Sequence, residues 1–332
     1  RKFISPVSGS FDRKSVMAEL AARHQGAEAK RASTRPPAIL ARNVKRLAKM
    51  LELTPVDCRV LEFAVLISNE EILDNVCDLL GHSLTTTRVI RVLSRLLDLP
   101  ADRVAESLSP QGLLSRSGIL SINRNGGGTV RSKLDLLSSA FADRMLASDA
   151  DPIDLLRGTV ALASDPELEL ADFGHLGASL EILQPYLRLA LSEGRRGVNI
   201  FLHGPPGTGK SQLARRLARE LRSDLFEVSS ENEDGDPVEG ERRLRAYRAA
   251  QTLLSKRRSL ILFDEVEDVF NDGSEFFGRK STAQTRKAWM NRMLEDAPVP
   301  TFWLSNSIAS VDPAFVRRFD MVIEVPIPPR AQ

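Results

Sequence analysis

The chain has 332 residues, enough for about two or three domains. Hydrophobic residues at 42% and charged residues at 27% are ordinary globular values, which excludes general disorder and fibrous architectures. The net charge of +2 hides an uneven distribution, and no uncharged apolar run approaches the ~18 residues of a membrane span.

Residues 1–49 hold twelve Lys/Arg and three Asp/Glu. Residues 50–192 hold twelve against twenty, and residues 193–332 twenty-two against twenty-one. A basic arm thus precedes an acidic segment and then a neutral one. Such an arm suits nucleic acid or another anionic partner. Phe3 and Phe11 are its only aromatics, too few for base stacking, so the plainer reading is a solvated helical leader or a contact with the acidic segment. Arg1 stands where Met is expected, so the numbering is read as starting inside a longer gene product. Cys58 and Cys77 form no CxxC and no Cys/His cluster; they read as buried thiols of a reducing, cytoplasmic compartment. The four histidines (His24, His82, His175, His203) give no metal-ligand spacing.

In chain order, a helix through Val16–Arg31 is broken at Ser33-Thr34-Arg35-Pro36-Pro37. Ala38 to Ser148 reads as mostly helical. Thr54 is an N-cap, with Pro55 at the first helical position and Asp57 in the first turn. Ser68 or Asn69 is expected to cap a helix over Glu70–Leu80, ended by Gly81. Thr85–Leu97 is amphipathic. Ser117–Ile122 reads as a short strand, with Thr129-Val130 beyond the glycine run Gly126–Gly128 as its hairpin partner. Helices followed by a small hairpin suit a winged-helix-like module, though the acidic balance argues against a phosphate-binding face.

From about Leu180 the pattern becomes alternating strand and helix. Strands are predicted at 197–203, Asp224–Val228, Ser259–Phe263, Thr301–Ser305 and Met321–Val325. Helices are predicted at Gln212–Leu221, Glu239–Leu254 and Ser281–Leu294. Short apolar strands alternating with amphipathic helices predict an α/β parallel sheet covered on both faces.

Gly204-Pro205-Pro206-Gly207-Thr208-Gly209-Lys210-Ser211 lies between a predicted strand and a predicted helix and satisfies G-x-x-x-x-G-K-[ST]. Glycines let successive N–H groups face phosphate oxygens, and the following helix adds its positive end. Lys210 would supply a compact charge to the β- and γ-phosphates, and the Ser211 hydroxyl would ligate Mg²⁺. Gln212, next in the helix, is grouped with the loop. Downstream, the apolar strand Ser259–Phe263 ends in Asp264-Glu265. Its tip is where ligands bind in open α/β sheets. Asp264 is a candidate for holding Mg²⁺ and Glu265 for polarising the attacking water. Glu267 and Asp268 read as a solvated acidic turn.

These residues resemble the AAA+ ATPase family, and within it the AAA clade. The phosphate loop and the strand-Asp-Glu element are similar to its Walker A and Walker B motifs. Trp303-Leu304-Ser305-Asn306 resembles the strand ending in the sensor-1 residue, here Asn306. Asp312–Asp320 resembles the second region of homology, whose arginines, here Arg317 and Arg318, reach a neighbour's γ-phosphate. They are adjacent here, whereas other members space them apart. Asp172-Phe173-Gly174-His175-Leu176 resembles the stretch packed near adenine. The resemblance implies ATP and Mg²⁺ as cofactors, a P-loop NTPase core and a homo-oligomeric ring such as a hexamer. The charge pattern marks a basic helical arm over 1–37; the resemblance implies a mainly helical, winged-helix-like domain over 38–165, as in some bacterial AAA ATPases, and the large subdomain of an ATPase core, without its lid, over 166–332.

Two departures shape the functional expectation. The stretch Glu231–Glu241, where threading members carry an aromatic pore loop, is acidic and has no aromatic. That disfavours processive threading and nucleic acid alike; Phe276-Phe277-Gly278-Arg279 is an alternative contact. The family's helical lid is expected after Pro328, where the chain ends at Gln332. The expected function is a Mg-dependent ATPase that remodels a protein partner of unknown identity. Its alternatives are a nucleotide-switched scaffold with slow hydrolysis and a nucleic-acid-dependent ATPase.

Overall fold

The computed structural model describes residues 13–31, 35–270 and 287–328. Phe3, Phe11, the Ser33-Thr34 part of the first break, the Phe276–Arg279 contact and the first residues of the helix expected from Ser281 lie outside these. Helix α1 (Arg13–Arg31) is exposed along its length, with Val16 the half-buried exception.

A helical unit follows, made of α2 (Ala38–Leu51), α3 (Pro55–Asn69), α4 (Glu71–Asp78), α5 (Thr86–Leu97), α6 (Ala101–Ser107), α7 (Leu113–Arg116), α8 (Val130–Lys133) and α9 (Ser139–Ala147). Strands β1 (Leu120–Ile122) and β2 (Leu134–Leu136) pair antiparallel within it. The Thr54 cap forms as predicted: its hydroxyl accepts from Asp57 N at 3.2 Å, and Thr54 N donates to Asp57 Oδ2 at 2.9 Å. Asp57 is buried, and Ser107 Oγ satisfies its second oxygen by donating to it, tying α6 to the start of α3.

Two local expectations are corrected. Neither Ser68 nor Asn69 caps α4; its N-cap is Glu70, and the Asn69 amide turns back to donate to Val65 O at 3.1 Å. The partner of β1 is Leu134–Leu136, not Thr129-Val130. Thr129 instead caps the one-turn α8, accepting from Ser132 N at 3.2 Å. Lys133 explains the intervening loop. It is buried, and its ammonium donates to the carbonyls of Asn123 (2.8 Å), Asn125 (3.1 Å) and Gly126 (2.7 Å), so three loop carbonyls close over one cation.

The second half supplies a six-stranded sheet. Strand β3 (Val160–Leu162) is followed by α10 (Gly177–Glu193), β4 (Asn199–His203), α11 (Lys210–Glu220), β5 (Asp224–Val228) and α12 (Gly240–Leu254). Then come β6 (Ser259–Phe263), α13 (Glu267–Phe270), α14 (Lys287–Glu295), β7 (Thr301–Ser305), α15 (Pro313–Val316) and β8 (Met321–Glu324). The strand order is β3-β5-β6-β7-β4-β8. All neighbours are parallel except β3, which runs antiparallel to β5 with Val160 opposite Val228 and Leu162 opposite Phe226. The five parallel strands are the predicted ones. β3 has no counterpart in the sequence reading: with Ala161 and Leu162 exposed, three residues carry no alternation to read. It lies before residue 166, so the sheet takes its edge strand from the segment expected to be helical.

Alternation along the strands sorts the core into two layers. Ile200, Leu202, Leu260, Leu262, Phe302 and Leu304 pack with α10 and α11. Phe201, Ile261, Phe263 and Trp303 face the other way, onto α12 and α14, and this layer continues without a break into the helical unit. An aromatic cluster lies at its centre, with Trp303 5.1 Å from Phe263, 4.9 Å from Tyr247 and 5.2 Å from Phe270 between ring centroids. Its polar tips are satisfied: Trp303 Nε1 donates to Asn199 Oδ1 at 2.9 Å, and Gln251 Nε2 donates to the Tyr247 hydroxyl at 2.9 Å. Among the described residues no helix is long and apolar enough to cross a membrane. Cys58 and Cys77 are both unpaired, Cys77 buried and Cys58 half-buried.

Candidate nucleotide site

The site forms at the C-terminal ends of β4, β6 and β7, with the phosphate loop running from β4 into α11. Gly204 has φ 152°, and a Cβ there would lie 2.1 Å from Val325 O, so only glycine lets the loop leave the sheet beside β8. Gly209 has φ 86°, and its missing Cβ leaves room for the Phe173 ring, which a side chain would meet at 3.2 Å. Thr208 Oγ1 donates to Pro205 O at 3.0 Å, closing the loop on itself.

Lys210 is 7% exposed and sits under the loop. Its ammonium donates to Gly204 O at 2.8 Å, Pro205 O at 3.0 Å and Asn306 Oδ1 at 3.3 Å. Burial pushes the ammonium's pKa down, and the Asp264 and Glu267 carboxylates act against that. His203, the last residue of β4, is likewise pushed down, by burial first, with Glu324 opposing and Lys210 adding to it.

Ser211 Oγ donates to Asp264 Oδ2 at 2.9 Å, so the two oxygen groups predicted to share a cation converge. Glu265 follows with an exposed side chain and φ 51°, the left-handed region that non-glycine residues rarely adopt. Asn306, at the end of β7, is brought to Lys210. Glu267 corrects the reading of a solvated turn: half-buried, it accepts from Ser305 Oγ at 2.8 Å and from Asn306 N at 2.6 Å. It thereby fixes the end of the sensor-like strand. The side chain of Asp268 lies outside the described residues.

The 3₁₀ stretch Leu170–Leu176 packs over the loop from the other side. Glu167 N donates to Gln212 Oε1 at 2.9 Å, and Phe173 and Leu168 approach Gly209, so Gln212 anchors this stretch. Leu176 is buried in the layer with α10 and α11. His175 Nε2 is buried with no hydrogen-bond partner among the described residues. Phe173 belongs to the stretch expected near adenine, whereas Leu168 escaped the sequence reading as a lining residue because an apolar side chain carries no chemical signature there.

Arg317 and Arg318 are not brought to this loop. They follow α15, which starts at the Asp312 cap and Pro313, and both are exposed. Arg318 pairs with Glu295. Asp320 N donates to Asn199 O at 2.8 Å, placing the arginines at the start of β4, whereas the loop leaves its far end. Between Asn199 and His203 the strand rises by ~13 Å.

Residues 200–327 match the family described as "ATPase family associated with various cellular activities (AAA)". The chain carries an AAA ATPase domain. Among curated proteins it is similar to the proteasome-activating nucleotidase of Archaeoglobus fulgidus, at 30% identity over 179 residues, covering 49% of this chain and 44% of that one. It is also similar to the human ATPase family gene 2 protein homolog B, at 31% over 200 residues, covering 54% and 26%. The Archaeoglobus fulgidus cell division cycle protein 48 homolog matches at 27% over 176 residues, covering 49% and 24%. The chain thus spans less than half the length of these relatives. Within the AAA domain, the matched segment holds the phosphate loop, Asp264-Glu265, Asn306 and both arginines, and it begins after β3 and the Leu170–Leu176 stretch.

Proposed function

We propose that this chain binds and hydrolyses ATP with Mg²⁺, and that hydrolysis drives remodelling of a protein partner within a ring of like subunits. The observation that carries the chemistry is the meeting of Ser211 and Asp264 at 2.9 Å beside the buried Lys210. Two hard oxygen donors suit Mg²⁺, which when bound would neutralise phosphate charge. Lys210 exchanges its loop carbonyls for the β- and γ-phosphates. Glu265, exposed at the tip of β6, accepts a proton from the attacking water, and Asn306 orients it. The Leu168–Leu176 stretch, with the unpaired His175 Nε2, forms the adenine side.

The position of Arg317 and Arg318 supports action in trans. Both are exposed, and Arg318 pairs with Glu295 and not with their own loop, so they are free to serve a neighbour's γ-phosphate. The partner is read as protein because the relatives include one named as activating the proteasome. The hairpin closed by the Glu231–Pro237 bridge is acidic and repels a nucleic-acid backbone.

Mixing subunits tests the assembly. Arg317→Ala with Arg318→Ala removes the finger, and Glu265→Gln removes the base. Each preparation alone should be inactive with ATP affinity kept, and the mixture should regain activity at interfaces that pair an intact base with an intact arginine. No recovery in mixtures shown to co-assemble would rule out action in trans.

A further inference from the structure

Arg243, on α12, is a buried cation that the reaction as proposed does not use. It is 2% exposed, and its guanidinium lies over the Phe263 ring, 4.4 Å from the centroid, at the last residue of β6. One nitrogen donates to Glu265 O at 3.2 Å and another to Asp264 O. Arg243 therefore grips the carbonyls on both sides of the Glu265 amide and α-carbon. Those two peptide planes decide where the Glu265 side chain points.

Glu265 needs such a grip. Its φ of 51° is sparsely populated for a residue with a Cβ and persists only where the surroundings over-determine it. Glu265 N donates to Asp264 Oδ1 at 2.8 Å, and Val266 N donates to Leu304 O at 3.1 Å. Those bonds hold the amide and the next residue. Neither holds the two carbonyls.

The opposite face of α12 is held by the helical unit. Two and five residues beyond Arg243, at ~100° per residue, Arg245 and Arg248 point away from it. Arg245 Nε donates to Gly118 O at 2.8 Å, and its other nitrogens reach the Asp135 carboxylate and carbonyl. Arg248 donates to Ser115 O. The fit is close: a Cβ at Gly118 would stand 2.6 Å from Arg245 O. One helix thus connects the helical unit to the backbone of Glu265.

We infer that Arg243 is a positioning residue for Glu265, and that through α12 the seating of the helical unit sets the rate of hydrolysis. This rests on the proposed role of Glu265. Displacing the unit from α12 shifts Arg243, misdirects the Glu265 carboxylate and slows turnover, while the phosphate loop stays as it was.

The test uses the full chain, with kcat for ATP and ATP affinity by calorimetry measured side by side. Arg243→Met keeps the volume over Phe263 and removes both hydrogen bonds. It should lose about a hundredfold in kcat, the scale of an ångström of misplacement, with ATP affinity within about twofold. Arg243→Lys, able to reach one carbonyl, should fall between Met and the parent. Asp135→Asn, remote from the site, should lower kcat several-fold with affinity kept. Parent kcat in Arg243→Met overturns the inference, and so does an equal loss of kcat and affinity, which marks general damage. If Arg243→Met does not fold by thermal melting, parent kcat in both Arg243→Lys and Asp135→Asn overturns it. Glu265→Gln run in parallel separates the two readings. Hydrolysis at the parent rate in that variant sinks the role of Glu265 and this inference with it. An inactive Glu265→Gln beside a fully active Arg243→Met sinks this inference alone.

Discussion

Lys210→Ala should weaken ATP binding by about 10- to 150-fold. A charge-assisted contact of this kind contributes roughly 1.5–3 kcal/mol, and 1.4 kcal/mol is tenfold. The geometry places the effect toward the upper end. Lys210 is 7% exposed, so water does not replace it, and a phosphate entering the loop would meet the carbonyls of Gly204 and Pro205 without their cation. Calorimetric titration of ATP and ADP checks this; equal affinity in parent and variant would remove Lys210 from the binding site.

Glu265→Gln should separate binding from chemistry. The amide keeps the size of the exposed side chain but cannot take a proton from water, and general-base contributions run roughly 10²–10⁴-fold. We expect ATP and Mg²⁺ to stay bound and kcat to fall by about that factor. The outcome differs in kind from the Lys210 variant, which loses nucleotide. A Glu265→Gln protein hydrolysing at the parent rate would make this carboxylate structural, and one unable to retain ATP would move it into the binding site.

The parallel strands and the phosphate loop were legible because their signals are local. Uninterrupted apolar runs such as Ser259–Phe263 mark strands buried on both faces, and the loop's glycines stand at fixed spacing from Lys210. What escaped depends on partners distant in sequence. β3 is a strand only because β5 offers it an edge. Glu267 looked like one more acid in a turn until β7 brought Ser305 and Asn306 to it. Arg243 is one arginine among several on an amphipathic helix, and nothing in its neighbourhood marks which of them turns inward. The hairpin partner of β1 was misplaced because Thr129 reads equally well as a strand residue and as a helix cap, and the packing chose the cap.

The antiparallel strand at the rim of the sheet bears on how copies of this protein can meet. Ala163 N donates to Leu225 O at 2.8 Å and Ser229 N to Thr159 O at 3.0 Å, so the outer hydrogen-bonding groups of β5 are spoken for from one end to the other. A free rim would be a template onto which any extended chain could add itself. With β5 covered, the rim passes to β3, whose three residues present a shorter row of backbone groups than the five of β5, and an edge strand that short offers an extended chain little to pair with. A fragment beginning at residue 166 would lack the filling strand, and its behaviour in solution would report on a bare rim as much as on the ATPase.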